Sequence, residues 1–196
     1  KYPILELGCR DGEMTKELVA GDPLYIVDNY QEFIDSTMET FNPQYQHRVR
    51  PYVIRDNQPY EGPGPNINDF AKLPQEQFGF VFSYNYFNYR SIQGIKDYLG
   101  LLHKVMRPGG VMMFTYNNAD QEQQAAYAEG YFMSYMPKSL LIPLCQSMGF
   151  DIITTHDIGV LSWIEIKKPG ELESIKAHQT LAKVLDVEKY PKELTF

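Results

Sequence analysis

The feature that most constrains the fold is a regular alternation of short apolar runs with longer segments of helical periodicity. The apolar runs predict seven strands, at residues 4–7, 24–27, 49–55, 78–82, 111–116, 150–155 and 161–167. Helical spacing of apolar residues predicts helices at 13–20, 31–41, 91–106 and 138–148. Strands that alternate with helices favour a mostly parallel sheet with helices on both faces.

The last two predicted strands are joined only by a tight turn at 157–159, so they must be antiparallel. The predicted fold class is therefore α/β, a doubly wound, seven-stranded, mostly parallel sheet of Rossmann-like type with one antiparallel strand near the edge. Residues 1–170 are predicted to form this domain, and 171–196 an amphipathic helix and tail. That helix packs on its own domain or contacts a partner or a neighbouring chain. The abrupt start at Lys1 suggests a piece of a longer polypeptide.

Charge and composition narrow the possible ligands and locations. The 196 residues carry 18 Lys plus Arg against 25 Asp plus Glu, a net charge of −7, which disfavours nucleic acid and suits a cationic ligand. Two cysteines are too few for a disulfide framework, and neither a signal peptide nor a membrane-spanning stretch is visible. A cytoplasmic location follows as an expectation, with a virion-associated assembly as the alternative. No metal site is predicted.

The loop after the first strand is the first candidate for a binding site, because ligands of such sheets bind beyond the carboxyl ends of the strands. Gly8 and Gly12 allow a sharp turn and the close approach of a ligand. The glycine spacing of a dinucleotide site is absent, and Glu6 and Asp11 would repel a pyrophosphate, with only Arg10 to offset them. A nicotinamide-dependent oxidoreductase is therefore disfavoured. S-adenosylmethionine, which is net cationic, suits this loop better.

Asp28 ends the second predicted strand, close to the same loop. A carboxylate at this place can accept hydrogen bonds from both hydroxyls of a ribose. Several adenosine cofactors are held in this way, so Asp28 indicates a nucleoside without naming it. The structural alternative is a plain helix cap before Gln31.

Five motifs in order then resemble those of class I S-adenosylmethionine-dependent methyltransferases, from about residue 4 to 117. They are ILELGCRDG, YIVDNY, NDFAKLP, FGFVFSYN and VMRPGGVMMF. The resemblance implies S-adenosylmethionine as the cofactor and a place for each residue around it. Glu6, Gly8, Cys9 and Gly12 would surround its methionine end, and Asp28 would hold the ribose.

On the adenine side, the resemblance places Asn29 near the ring, and Asp69 at the adenine amine with Phe70 beside it. Ser83 would lie under the sulfonium. The separation of Asp28 from Asp69 is longer than is usual in the family, so Asp56 competes with Asp69 for the adenine role.

The methyl acceptor would meet the cofactor after the fourth strand, where the chain reads Tyr84-Asn85-Tyr86-Phe87-Asn88-Tyr89. Tyr84 and Asn85 are candidate catalytic residues, since aromatic side chains can hold a cation or stack on a planar acceptor. His156, at the end of the sixth strand, is a candidate base, with a turn residue as the alternative. Both prolines of the amino-methylating nucleic-acid enzymes are missing here. The aromatic segment 116–136 is a lid or an ordinary packed helix.

The predicted function is S-adenosylmethionine-dependent methyl transfer to a small molecule or an exposed protein group. The alternative is a methyltransferase-like scaffold domain in a larger assembly, with the cofactor pocket kept or decayed. Two departures from the family pattern favour that alternative: Arg10 replaces a glycine, and Gly79 replaces an acidic residue. The appended segment after Pro169 points the same way.

Overall fold

The computed structural model describes residues 2–56 and 65–171, and this part of the chain contains a seven-stranded sheet in the order β3-β2-β1-β4-β5-β7-β6. The strands are β1 (Ile4–Leu7), β2 (Leu24–Asp28), β3 (Val49–Val53), β4 (Phe78–Ser83), β5 (Met106–Tyr116), β6 (Asp151–Ile158) and β7 (Leu161–Lys167). The helices are α1 (Gln31–Glu39), α2 (Pro43–Gln46), α3 (Ile67–Phe70), α4 (Ile92–Val105), α5 (Glu122–Gly130) and α6 (Lys138–Ser147). Two 3-10 turns cover Thr15–Leu18 and Phe87–Tyr89.

The strand pairing confirms the predicted fold class. Strand β1 pairs in parallel with β2 on one side and β4 on the other, and β7 is antiparallel to both β5 and β6. Because the chain moves outward from β1 to β3 and then returns to the other side of β1, the strand order reverses between β1 and β4. That reversal opens a crevice at the carboxyl ends of the central strands, where ligands of such sheets bind.

The core lies on both faces of the sheet. Every residue of β4 is buried, as expected for a central parallel strand that is covered on both sides. On α4, Ile95, Leu99 and Leu102 form the apolar stripe that the sequence predicts and are fully buried, whereas Ile92 at the start of the helix is 45% exposed. The tight burial of these elements holds the strand ends that surround the crevice in place.

The predicted helix at 13–20 is wrong, since the structure has only the 3-10 turn Thr15–Leu18 there. The first residues of the connection from β1 to β2 form the glycine loop, and the chain must then return directly to the sheet at Leu24. Gly21 packs so closely on β1 that a Cβ atom added to it would lie 2.6 Å from Ile4 Cδ1. Too little chain is left between these two constraints for a full α-helix.

Strand bounds differ from the predicted ones at several ends. Strand β5 begins at Met106 rather than at 111, because the Arg107–Gly110 segment continues the strand through an irregularity in its register with β4. Strand β3 ends at Val53, two residues early, and β6 runs on to Ile158, so the turn before β7 is shorter than predicted. The predicted C-terminal helix lies outside the described residues. Within the described ranges, no helix has the length and apolar character needed to cross a bilayer.

Candidate cofactor site

The loop after β1 is a tight turn at the crevice. Gly8 and Gly12 both have φ of +80°, and Arg10 between them has φ of +48°. The amide of Gly8 donates to Val27 O over 2.7 Å, which ties the turn to the end of β2. Arg10 is exposed, so its side chain does not fill the turn. Its left-handed backbone, a conformation that favours glycine, costs about 1 kcal/mol.

Glu6 lies at the base of this turn and is 1% exposed. Its Oε2 atom is buried without a hydrogen-bond partner. Burial raises the pKa of the Glu6 carboxyl to about 8, and the nearby negative charge of Asp28 acts in the same direction. Glu6 is therefore mostly protonated at neutral pH, although the Thr15 side chain partly offsets the rise of its pKa.

Asp28 faces the same turn from the end of β2. Its Oδ2 accepts from the backbone amide of Arg10 at 3.1 Å, and its Oδ1 accepts from the amides of Asn29 and Tyr30 at 2.7 and 3.4 Å. Burial raises the pKa of Asp28, while these amide bonds favour its charged form. A carboxylate oxygen has a second acceptor site, so Asp28 can still receive ribose hydroxyls.

Tyr86 enters the crevice from the segment after β4, a placement that the sequence did not predict. A Cβ atom on Gly8 would lie 2.6 Å from Tyr86 Cδ2, so the ring rests directly on the glycine turn. The Tyr86 hydroxyl donates to Asn29 Oδ1 at 2.9 Å and lies 2.7 Å from the Tyr98 hydroxyl. The ring therefore reaches from Gly8 to Asn29.

Arg90 lies beside Tyr86, with its guanidinium 4.2 Å from the centre of the Tyr86 ring. Its Nη2 donates to Asn29 Oδ1 at 2.5 Å and forms an ion pair with Asp56 at 2.9 Å. The Tyr98 hydroxyl donates to Asp56 Oδ1 at 2.6 Å. Tyr86, Arg90, Asn29, Asp56 and Tyr98 thus form one connected cluster, which we call the Arg90 cluster.

Asp69 and Phe70, the other predicted adenine-side residues, lie in α3. Both carboxylate oxygens of Asp69 are bonded to Arg55, and Lys72 donates to Oδ1 as well. The hydrogen bonds from Arg55 hold the pKa of Asp69 well below its usual range. The Phe70 ring packs in the core, 6.2 Å from that of Tyr98. Asp56, and not Asp69, is the acid that shares Arg90 with Asn29, and both adenine roles stay predictions.

At the end of β4, Ser83 is fully buried and its hydroxyl donates to Leu7 O at 3.0 Å, which joins β4 to β1. The Tyr84 ring stacks on Trp163 with ring centres 5.8 Å apart. Asn85 has a left-handed φ of +53°, and its Oδ1 is buried without a partner. Ser83, Tyr84 and Asn85 thus follow the strand that borders β1, and their predicted roles stay predictions.

Two further predicted residues, His156 and Cys9, lie in places that do not favour acid–base or nucleophilic chemistry at the crevice. His156 is exposed on the edge strand β6, four strand positions from β1, or about 19 Å at the usual spacing. Cys9 lies in the glycine turn and is 3% exposed, and burial raises the pKa of its thiol far above the usual range. It is therefore no nucleophile at neutral pH.

The aromatic segment after β5 contains the helix α5 followed by a loop with three exposed rings, those of Tyr131, Phe132 and Tyr135. The loop is tied to the region after β4, since the Ser134 amide donates to Asn88 O at 2.7 Å. Its role as a lid is not tested. Among the described residues, no group of three or more His, Cys, Asp or Glu side chains is placed to hold a metal ion.

No protein-family model matches the chain, and no curated protein matches its sequence. Solved structures do resemble it. One is a chain of the complex between the Haloferax volcanii Trm112 methyltransferase activator and a protein described as a methyltransferase. The two chains share 12% identity with a TM-score of 0.65, and the match covers 86% of this chain and 83% of that one. Another is the geranyl diphosphate C-methyltransferase of Streptomyces coelicolor in complex with S-adenosyl-L-homocysteine, with 9% identity, a TM-score of 0.66, and coverage of 86% and 74%.

These likenesses, together with the strand order, give the protein the fold of the class I S-adenosylmethionine-dependent methyltransferases. The resemblance drawn from the five sequence motifs is thereby confirmed at the level of the fold. Fold alone does not set the reaction. The cyclase SpnF is also similar to this chain, with 11% identity, a TM-score of 0.63, and coverage of 87% of this chain and 76% of that one.

The residues present fit the two ends of S-adenosylmethionine unequally. At the methionine end, Glu6 offers a buried, unpartnered oxygen beside a glycine turn, which suits an ammonium group. At the nucleoside end, the Tyr86 ring covers the path from Gly8 to Asn29, and Arg90 occupies both Asn29 Oδ1 and Asp56. The polar groups expected at the nucleoside end are therefore bonded to the protein's own side chains.

Proposed function

We propose that this domain is an S-adenosylmethionine-dependent methyltransferase that acts on a small molecule or an exposed protein group. The observation that carries the proposal is the unpartnered oxygen of buried Glu6 beside the glycine turn. A buried polar atom without a partner is costly, at about 1–3 kcal/mol, and a ligand that supplies the partner recovers that cost. The fold supports the same proposal, because its crevice lies at this turn.

In the proposed enzyme, the cofactor supplies a methyl group that is already activated by the sulfonium. The chain's own task is to bind, orient and exclude water. Glu6 accepts a hydrogen bond at the methionine end, and Asp28 holds the ribose hydroxyls from the end of β2. Asn85, whose Oδ1 has no partner, and Tyr84 lie after β4 and orient the acceptor. The proposal does not use His156 as a base, because it lies on the edge strand β6, far from the crevice.

A second candidate is the non-catalytic scaffold domain with a decayed pocket. The specific observation in its favour is that the protein's own side chains contact residues expected around the cofactor, since Tyr86 rests on Gly8 and Arg90 bonds to Asn29. In a larger assembly, the same fold would then serve only as a packing unit. Measurement of cofactor binding and of methyl transfer separates the two candidates.

Calorimetric titration with S-adenosylhomocysteine tests the proposal. We expect binding by the native chain, weakened about tenfold or more by Asp28→Asn, because a hydrogen bond to a charged group contributes about 1.5–3 kcal/mol. Asp151→Asn, at an exposed position on β6, is the matched control and should bind like the native chain. No detectable heat up to millimolar ligand, either from the native chain or from a variant in which Arg90 no longer bonds to Asn29, would remove the enzymatic proposal.

The scaffold candidate is tested by incubating the native chain with labelled S-adenosylmethionine and a cell lysate. Label in an acceptor that is missing without the added chain, and that is reduced when Asp28→Asn replaces the native chain, supports the enzyme. Ligand binding without transfer of label to any acceptor supports the scaffold with a retained pocket.

A further inference from the structure

The Arg90 cluster occupies the positions that the proposed cofactor needs. The Tyr86 ring contacts the place of a Gly8 Cβ atom at 2.6–2.9 Å, and its hydroxyl reaches Asn29 Oδ1 at 2.9 Å. Gly8 and Asn29 are the residues expected at the methionine end and at the adenine. A nucleoside can pass between them only if the ring moves, and the Arg90 guanidinium, 4.2 Å from the ring centre, helps to hold the ring in place.

Arg90 adds a positive charge to the same place. Its side chain is 16% exposed, and it bonds to Asn29 Oδ1 and to the Asp56 carboxylate. The same two groups could serve the cofactor. Asn29 Oδ1 could accept a hydrogen bond from the adenine amine, and the Asp56 carboxylate could attract a cationic nucleoside. Arg90 and the cofactor therefore compete for the same acceptors.

The cluster is not fully satisfied. The Arg90 Nε atom is buried and has no hydrogen-bond partner. An unpaired buried donor makes the closed arrangement less stable than its ion pair alone would suggest. Movement of Arg90 to solvent would hydrate that donor and free Asn29 and Asp56 together.

We infer that Arg90 and Tyr86 act as an internal competitor that closes the nucleoside end, so that cofactor binding requires Arg90 to leave Asn29 and Asp56. This inference rests on the proposed function. Arg90 is then a residue that sets cofactor affinity without touching the reacting atoms. The measured affinity is lowered by the fraction of molecules in which the site is closed.

The test is calorimetric titration of S-adenosylhomocysteine into the native chain and three variants, with a melting curve for each. Arg90→Met removes the charge and the hydrogen bonds but keeps much of the length of the side chain. Tyr86→Phe removes only the hydroxyl that bonds to Asn29. Arg107→Met is the matched control, because Arg107 also lies over a tyrosine ring, 4.1 Å from the centre of Tyr2, away from the crevice.

We expect Arg90→Met to bind at least tenfold more tightly than the native chain, Tyr86→Phe to gain less, and Arg107→Met to be unchanged. If the native chain binds and neither Arg90→Met nor Tyr86→Phe binds more tightly, the competitor role is overturned. The proposed function then stays intact. Absence of binding by every variant, with normal melting curves, would overturn the proposed function and this inference with it. If Arg90→Met does not fold, Tyr86→Phe alone decides.

Discussion

At the scale of single residues, the chemistry of the site depends on whether burial or hydrogen bonding decides the charge of each carboxyl group. Glu6 and Asp28 are both almost fully buried, but only Asp28 receives backbone amides. Burial leaves Glu6 mostly neutral, whereas three amide donors partly offset the rise that burial causes in the pKa of Asp28. The sequence predicts two acids at this edge, but it cannot predict that the pKa values of both are raised, because this depends on burial and on donors from other elements.

Glu6 should make the protein less stable as the pH rises. Its pKa is raised from 4.5 to about 8 in the folded state, so the folded chain holds a proton that the unfolded chain has lost. The stabilisation is complete below about pH 4.5 and is lost as the pH rises through about 8. Between pH 5.5 and 8.5, we expect Glu6 to lower the free energy of unfolding by about 3 kcal/mol.

Urea unfolding of the native chain and of Glu6→Gln at these two pH values measures this effect. Glu6→Gln cannot titrate at this position, and its decline should be smaller by about the same 3 kcal/mol. Because other groups, such as His103, titrate in both proteins, the difference between the two isolates Glu6. Equal slopes with pH would contradict a raised pKa at Glu6.

At the scale of elements, the glycine turn is shaped by what packs against it as well as by its own dihedral angles. Gly8 and Gly12 were predictable from the sequence as turn residues. The contact between Gly8 and Tyr86 was not, because it joins positions that are far apart in the chain. The same reason explains the wrong helix after β1, where the packing of Gly21 on Ile4 overrides a helical pattern.

Gly8→Ala separates packing from backbone strain. An added Cβ would meet Tyr86 Cβ and ring atoms at 2.6–2.9 Å, whereas at Gly159, which has φ of +56°, it would meet nothing within 4 Å. Gly159→Ala should therefore cost only the conformational term of about 1 kcal/mol. Gly8→Ala should cost about 3 kcal/mol or more, since the neighbouring ring must also move. Chemical denaturation of both variants measures the difference, and equal losses would show that Tyr86 does not pack on the turn.

At the scale of the whole molecule, the doubly wound, mostly parallel sheet with one antiparallel strand was predictable, since it follows from alternating elements and one short connection. The composition of the crevice was predictable only in part. The predicted residues at the ends of β1 and β2 belong to local sequence patterns. In the Arg90 cluster, by contrast, Asn29 bonds to Arg90, 61 positions away, and to Tyr86, 57 positions away. No local pattern records such pairs, so the sequence could not predict that Tyr86 and Arg90 bond to Asn29.

A similar long-range contact holds the opposite, amino edge of the sheet together. Lys168 follows β7 and is 8% exposed, and its Nζ donates to His103 O at 2.7 Å and to Met106 O at 2.8 Å. These carbonyls lie at the end of α4 and the start of β5, where the negative end of the helix dipole also attracts a positive charge. One side chain thus links the last strand to the α4–β5 junction.

Lys168→Met should lower the free energy of unfolding by about 2–4 kcal/mol, because it leaves two carbonyls without their donor and removes a charge at a helix end. Lys104→Met, at an exposed position on the same helix, is the control and should change stability by less than about 0.5 kcal/mol. Urea unfolding measures both. The fluorescence of Trp163 on β7 and the far-ultraviolet circular dichroism should follow one transition in every variant, because the linked elements unfold as a unit. Equal stability of the two variants would show that Lys168 does not join these elements, and separate transitions for the two signals would show that β7 unfolds independently of the rest.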